Sequence, residues 1–418
     1  MWNKKLLNII IFLSLSLISN SQEAVTEAKK TRLVSEIDSI LQSQVDLDKI
    51  PGAVILVKKN DQVVCFKAYG YAQKYDYNHN LLDPPEMMTV DHLFDIASLT
   101  KVIGTTTSIM LLVDRGLISV EDPVCKYIKA FDTPDKRRIT IRNLLTHTAG
   151  LYEWYPLYYR ASNKEECFRL IADLPLQFPI GVRRRYSDLG FDLLGELIEI
   201  VSGQPMEQFM EQNIFQPLGM NHTDFNPLKT FGSVKIAATS PGNPWEKRMI
   251  TDSTLGYKIK DIDPAEWNGW RNYVLRGEVN DGNAWYANGG VSGAAGLFST
   301  AEDIQKVVDM LMNKGRSGSN QFISGKTIGI FLKKDRFRNG LGWMMDTKNS
   351  FMINAPAGSF GHSGFTGTSI AVIPRDRVSV ILLINRQNIG LLKNGEYYNV
   401  NSVRRQVFRA VSKYLLNR

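Results

Sequence analysis

The strongest constraint on the fold is where the strand-forming runs lie along the chain. Gly52–Lys58 and Val63–Phe66, joined by the turn Lys59-Asn60-Asp61, read as a β-hairpin near the start. The other strand patterns lie at the far end: Gly340–Met345, Thr368–Pro374 and Val378–Ile384, the last two joined tightly through Pro374-Arg375-Asp376. An amphipathic helix precedes the first set, with Leu33, Ile37, Ile40, Leu41 and Val45 on one stripe of Thr31–Val45, and another runs from about Asn401 to Leu416. Pro84-Pro85 is expected to break the strand pattern. Where the middle of the chain is periodic it is helical, as in Leu189–Val201 and Met206–Ile214. This arrangement implies an α/β (α+β) fold: an antiparallel sheet built from both termini, flanked by helices, with a mainly helical region inserted. The sheet-containing part is expected at about 30–90 and 300–418, and the helical and irregular insertion at about 91–299.

The chemistry centres on Phe94-Asp95-Ile96-Ala97-Ser98-Leu99-Thr100-Lys101, where an extended apolar run turns into a helix. Positions i and i+3 share a helix face, so Ser98 and Lys101 can bring hydroxyl and amine to one spot. A serine hydroxyl needs a neighbouring base, and a lysine desolvated among apolar residues can have its pKa lowered enough to serve. The residues that follow, including Ser108-Ile109-Met110-Leu111-Leu112-Val113, are apolar nearly all round and read as a buried helix that would desolvate Lys101.

Two further stretches stand downstream: Tyr186-Ser187-Asp188 opens a helical segment, and Gly361-His362-Ser363-Gly364-Phe365-Thr366-Gly367 precedes a strand. Together, in this order, the three resemble the motifs of the serine β-lactamase and DD-peptidase superfamily: Ser-x-x-Lys, then Tyr-x-Asn or Ser-x-Asn, then Lys-Thr-Gly or a variant. The resemblance covers nearly all of the chain after residue 21. It implies that Ser98 attacks a carbonyl carbon, that Lys101 and the Tyr186 hydroxyl share the proton work, and that water hydrolyses an acyl-enzyme on Ser98. It also implies an oxyanion hole from the backbone N–H groups of Ser98 and Phe365, with Asp188, His362, Ser363 and Gly364 meeting substrate.

Two positions depart from the pattern. Asp188 stands where many members have Asn, and a carboxylate there favours the charged form of Lys101, shifting proton transfer toward Tyr186. His362 stands where β-lactamases and peptidases often have Lys, so a fixed cation for a substrate carboxylate is absent. Both changes resemble the esterase-like and class C-like branch. The expected activity is a serine hydrolase acting on esters or peptide-like amides. The alternatives are a β-lactamase or D-alanyl-D-alanine carboxypeptidase, and a catalytically silent protein that holds cell-wall peptides.

Other features narrow the partners. Met1–Ser21, with Lys4 and Lys5 before an apolar core from Leu6 to Ile18, reads as a signal peptide, which implies a secreted or periplasmic product without a stable membrane anchor. The net charge of +8 includes those two lysines. The basic runs Lys136-Arg137-Arg138 and Arg183-Arg184-Arg185 lack interleaved aromatics, so no nucleic-acid partner is expected, only a small-molecule or peptide-like acyl substrate. Cys65, Cys125 and Cys167 allow at most one disulfide, and neither they nor the five scattered histidines have the spacing of a metal site. Neither metal nor other cofactor is therefore expected.

The rest bears on packing. His147 lies near the end of a short helix over Ile141–Gly150 that Thr140 caps and the glycine closes, and reads as a hydrogen-bonded structural histidine, with a catalytic role as the alternative. The aromatic cluster Tyr152, Trp154, Tyr155, Tyr158 and Tyr159 reads as packing of an inserted loop, with substrate contact as the alternative. His222–Asn283 has no sustained period and is expected to shape or cover a site. The glycines of Asn288–Thr300 lack the lysine of a phosphate loop, so close backbone packing explains them better, and Ser292 among them is not expected to act as nucleophile.

Overall fold

The computed structural model describes residues 25–232, 234–257 and 262–417. The expected leader at 1–21 lies outside them. Six strands form the main sheet: β1 (Gly52–Lys59), β2 (Gln62–Tyr75), β3 (Leu81–Met87), β4 (Phe360–Ser363), β5 (Ser369–Ile373) and β6 (Val378–Ile384). They lie in the order β3-β2-β1-β6-β5-β4, and every neighbouring pair is antiparallel. The two chain ends meet at the centre, where Ala53 pairs with Ile384 and Val57 with Val380.

Successive side chains on a strand point to opposite faces, and here both faces are covered. Ala53, Ile55 and Val57 of β1 join Val380, Leu382 and Ile384 of β6 on one face, under helices α1 (Glu27–Asp46) and α5 (Asn401–Leu415). Leu33, Ile37 and Leu41 from α1 and Val403, Val407 and Val411 from α5 fill that layer. Val54 and Leu56 with Ile381 and Leu383 turn the other way, onto the inserted region. That region contains α2 (Thr107–Asp114), α3 (Asp188–Ser202) and α4 (Ala301–Met312). Two buried faces explain why β1 and β6 read as unbroken apolar runs.

Several expected elements need correction. Pro84-Pro85 does not end the strand pattern but lies within β3. β3 is an edge strand, where a missing N–H leaves no inner ladder bond unmade. Gly340–Met345 is not a strand: the place beside β5 is taken by β4, and Met344 keeps isolated bridges to Asn339 and Gly361. The Thr140 helix ends at Leu145 rather than at Gly150, although its cap forms as expected, with the Thr140 hydroxyl accepting from the Asn143 N–H. The three cysteines are all unbonded. Among the described residues no helix is long and apolar enough to cross a membrane.

Candidate active site

Ser98 lies on one 3₁₀ turn, Ala97–Leu99, directly after the short strand Phe94–Asp95. Ala97 has φ of +45°, a left-handed conformation that costs an L-residue about 1–2 kcal/mol. The Asp95 carboxylate holds it there, accepting from the Ala97 N–H at 2.8 Å through one oxygen and from the Asn280 N–H at 2.7 Å through the other. A stretch of π-helix, Lys101–Thr106, then leads into α2.

Lys101 is 1% exposed. Its Nζ donates to Ser98 Oγ at 3.1 Å and to the Ala294 carbonyl at 2.7 Å, and stands 2.7 Å from Asp188 Oδ1. Burial alone would strip the charge from this amine. The Asp188 carboxylate and the Tyr186 hydroxyl outweigh burial, and the pKa is raised. The desolvated, readily neutral lysine expected from its apolar setting is therefore not found, and the effect expected of Asp188 prevails.

Asp188 is placed by the start of α3, where the Ser187 hydroxyl caps the helix by accepting from the Gly190 N–H. Tyr186 stands just before it, with the Lys101 ammonium 5.2 Å from its ring centroid and its hydroxyl close enough to Ser98 and Lys101 for both to act on its pKa. Burial pushes the phenol pKa up and the ammonium pulls it down, leaving a net rise. His147 packs its ring 4.5 Å from that of Tyr186, and its Nδ1 accepts from the Ser187 N–H. Burial and nearby cations hold it neutral, so it supports Tyr186 rather than titrating.

The turn after β4 closes the other side. A Cβ on Gly364 would come within 2.1 Å of Thr368 Oγ1 and 2.6 Å of the Ile96 carbonyl, so only glycine lets β4 approach the Ser98 turn this closely. Thr366 and Thr368 fasten the two together, donating to the carbonyls of Asp95 and Ile96. Arg386 donates twice to the Phe365 carbonyl, and Arg404 donates to the carbonyls of Gly364 and Thr368. His362 is buried, with Nδ1 3.0 Å from the Ser363 carbonyl and a pKa lowered to about 3 by burial and by Lys101.

These elements enclose a cavity of ≈ 250 Å³ lined by Ser98, Lys101, Tyr186, Asp188 and Phe365. His362, Ser363 and Gly364 are not among its lining residues, unlike the substrate contacts expected of them. A sequence profile described as Beta-lactamase matches residues 37–402. The chain belongs to the beta-lactamase family. It is similar to a Salmonella typhimurium protein provisionally named a D-alanyl-D-alanine carboxypeptidase, 31% identical over 405 residues and 90% of each chain. Among solved structures it resembles EstCE1, a hydrolase with promiscuous acyltransferase activity, with a TM-score of 0.67 and 22% identity over 91% of this chain and 99% of that one. A D-amino acid amidase from Ochrobactrum anthropi, with L-phenylalanine amide bound, gives 0.64 and 21% over 91% and 99%. These two likenesses establish the fold.

Other parts of this beta-lactamase-family site were not expected from the sequence. Asp95, Glu153, Glu246 and Asp281 line the cavity beside Asp188. Glu246 and Asp281 come from the irregular stretch, where no periodicity marked them. The Asn280-Asp281-Gly282 turn was the one available signal. Of the aromatic cluster only Trp154 reaches the cavity, while Tyr158 packs among Trp267, Trp270 and Tyr286. Gly293 explains the glycine-rich run, since a Cβ there would lie 2.1 Å from the Phe191 carbonyl of α3. Ser292 is structural: its hydroxyl donates to Asp192 and accepts from the Ala294 N–H.

Proposed function

We propose that this protein is an exported serine hydrolase that cleaves esters or peptide-like amides through an acyl-enzyme on Ser98. The observation that carries the reading is the contact between Lys101 Nζ and Ser98 Oγ at the cavity wall, with the Tyr186 hydroxyl near enough for both to act on its pKa. With Lys101 held as an ammonium by Asp188, Tyr186 is the group left to take the Ser98 proton as the oxygen attacks. It does so as the phenolate, whose negative charge the ammonium stabilises and which the transferred proton neutralises. The carbonyl oxygen would then turn toward the backbone N–H groups of Ser98 and Phe365, which a positioned oxyanion hole requires. Tyr186 returns the proton to the leaving group, and water repeats the sequence on the acyl-enzyme. Export rests on the leader read at 1–21.

A second reading, D-alanyl-D-alanine carboxypeptidase, is favoured by the name of the Salmonella relatives. A fluorescent acylating probe separates hydrolase from silent binder: wild type should be labelled and Ser98→Ala should not, with ester turnover reduced by about three powers of ten or more. Equal labelling of both proteins would refute the role of Ser98.

A further inference from the structure

The cavity walls are strongly acidic. Asp95, Glu153, Asp188, Glu246 and Asp281 line it, against Lys101 as the one lysine or arginine among the described lining residues. Three of these carboxylates are already committed. Asp188 is paired with Lys101, Glu153 lies 3.3 Å from Arg185, and Asp95 accepts two backbone N–H groups.

Glu246 and Asp281 are different. Glu246 is only 9% exposed, and its Oε1 has no hydrogen-bond partner among the described residues, while Oε2 accepts from the Gly282 N–H at 3.0 Å. The neighbouring Tyr158 hydroxyl is close enough to influence Glu246, but neither that hydroxyl nor Glu246 Oε1 meets hydrogen-bond geometry with a described residue. Asp281 uses Oδ1 to accept from the Ala284 N–H. Arg271, whose charge acts on both carboxyls, is spent on Asn243, on the carbonyls of Val279 and Asn280, and on Glu278. A buried acceptor left unpartnered costs about 1–3 kcal/mol, a cost that an incoming donor removes.

We propose that Glu246 and Asp281 form a subsite for a primary ammonium group on the substrate. The inference deepens the hydrolase reading and rests on it for treating the bound group as part of a substrate. Each carboxyl has one oxygen tied to a backbone N–H, so the free acceptors are single atoms on separate side chains. That arrangement suits the three divergent donors of an ammonium better than the planar fork of a guanidinium, which pairs with both oxygens of one carboxylate. Trp245 and Tyr397 also line the cavity and supply aromatic surface beside the charge. Burial and the Asp281 charge push the Glu246 pKa up to about 8, and burial raises that of Asp281 to about 6, so a bound ammonium would also favour the ionised carboxyls.

The test is calorimetric binding at pH 7 of n-hexylammonium, n-hexanol and hexanoate to wild type, Ser98→Ala, Glu246→Gln and Asp281→Asn, with each variant's fold checked by circular dichroism. Hexylammonium should bind wild type and Ser98→Ala alike and at least tenfold tighter than hexanol or hexanoate. Glu246→Gln should weaken it about tenfold, and Asp281→Asn several-fold, with hexanol unchanged. Should Glu246→Gln fail to fold, Asp281→Asn and the three-ligand comparison on wild type still decide. Equal binding of the three ligands, or an ammonium affinity indifferent to both carboxyl variants, overturns the subsite and leaves Glu246 Oε1 facing water. Ser98→Ala keeps the two readings apart: ester turnover in that variant would refute the hydrolase assignment, while its ammonium binding reports on the subsite alone.

Discussion

Replacing Asp188 by Asn tests the proton machinery most directly. The carboxylate raises the pKa of Lys101 and also that of Tyr186. Removing it therefore lowers both, and the sign of the effect does not depend on which group accepts the Ser98 proton. At the 2.7 Å separation, with an effective dielectric of about 20, the Lys101–Asp188 attraction is about 6 kcal/mol. At about 1.4 kcal/mol per unit this bounds the shift at roughly four pKa units. Asp188 is 26% exposed, so water screens part of the attraction, and the asparagine dipole retains some of it. We expect a fall of about two units. The assay is the pH profile of kcat/KM for p-nitrophenyl acetate, measured by stopped flow from pH 5 to 10. The wild-type rate should still be climbing at the alkaline end, because the base must lose its proton to work. In Asp188→Asn the climb should level off about two units lower. Because a weaker base also transfers less efficiently, the gain at pH 7 should be about tenfold rather than a hundredfold. A limb that stays in place, or moves to higher pH, would refute the argument.

Gly364→Ala places a methyl group against Thr368 Oγ1 and the Ile96 carbonyl. It should lower kcat for neutral esters by about a hundredfold or more, and differential scanning calorimetry should show a lower Tm. Asp192 is buried near Ser292, and burial pushes its pKa up to about 7. The folded protein therefore keeps a proton that the unfolded chain loses above its ordinary value of 3.8, and stability falls as pH rises from about 4 to 7. Asp192→Asn should remove that part of the loss, so its Tm advantage over wild type should grow across this interval. An advantage that shrinks with rising pH would contradict the assignment.

The parts of the fold that could be read from the sequence were those with a period or a fixed spacing. β6 was read to the residue, and the two outer helices nearly so, because each has an apolar pattern that its neighbours satisfy. β3 was missed because two prolines look like a break unless the strand is known to lie at an edge, and edge position is a property of the whole sheet. The Ser98–Lys101 contact follows from i, i+3 spacing, and the approach of Tyr186 and the Phe365 turn from the order of the motifs. Glu246, Asp281 and Arg386 come from segments with no periodicity, and Arg404 from α5, whose period marks its apolar face and not this contact; long-range packing alone brings them to the cavity or to the turn behind it. The charge on Lys101 was legible only in part: apolar neighbours in sequence suggested a neutral amine, and the carboxylate that reverses this arrives from α3.

The central pairing of β1 with β6 also sets the order in which this protein can be made. Gly52 donates its N–H to the Asn385 side chain, 333 residues away in the chain. The first hairpin to leave a ribosome would have to wait, one apolar face and one strand edge unpaired, until nearly the entire polypeptide has been synthesised. Contacts this distant in sequence form slowly, because the loop must close before the pairing repays its entropy. The central sheet therefore cannot close until the last strand has been made. A nascent chain stalled before Val378 should expose the β1–β2 hairpin to limited proteolysis that the finished protein resists.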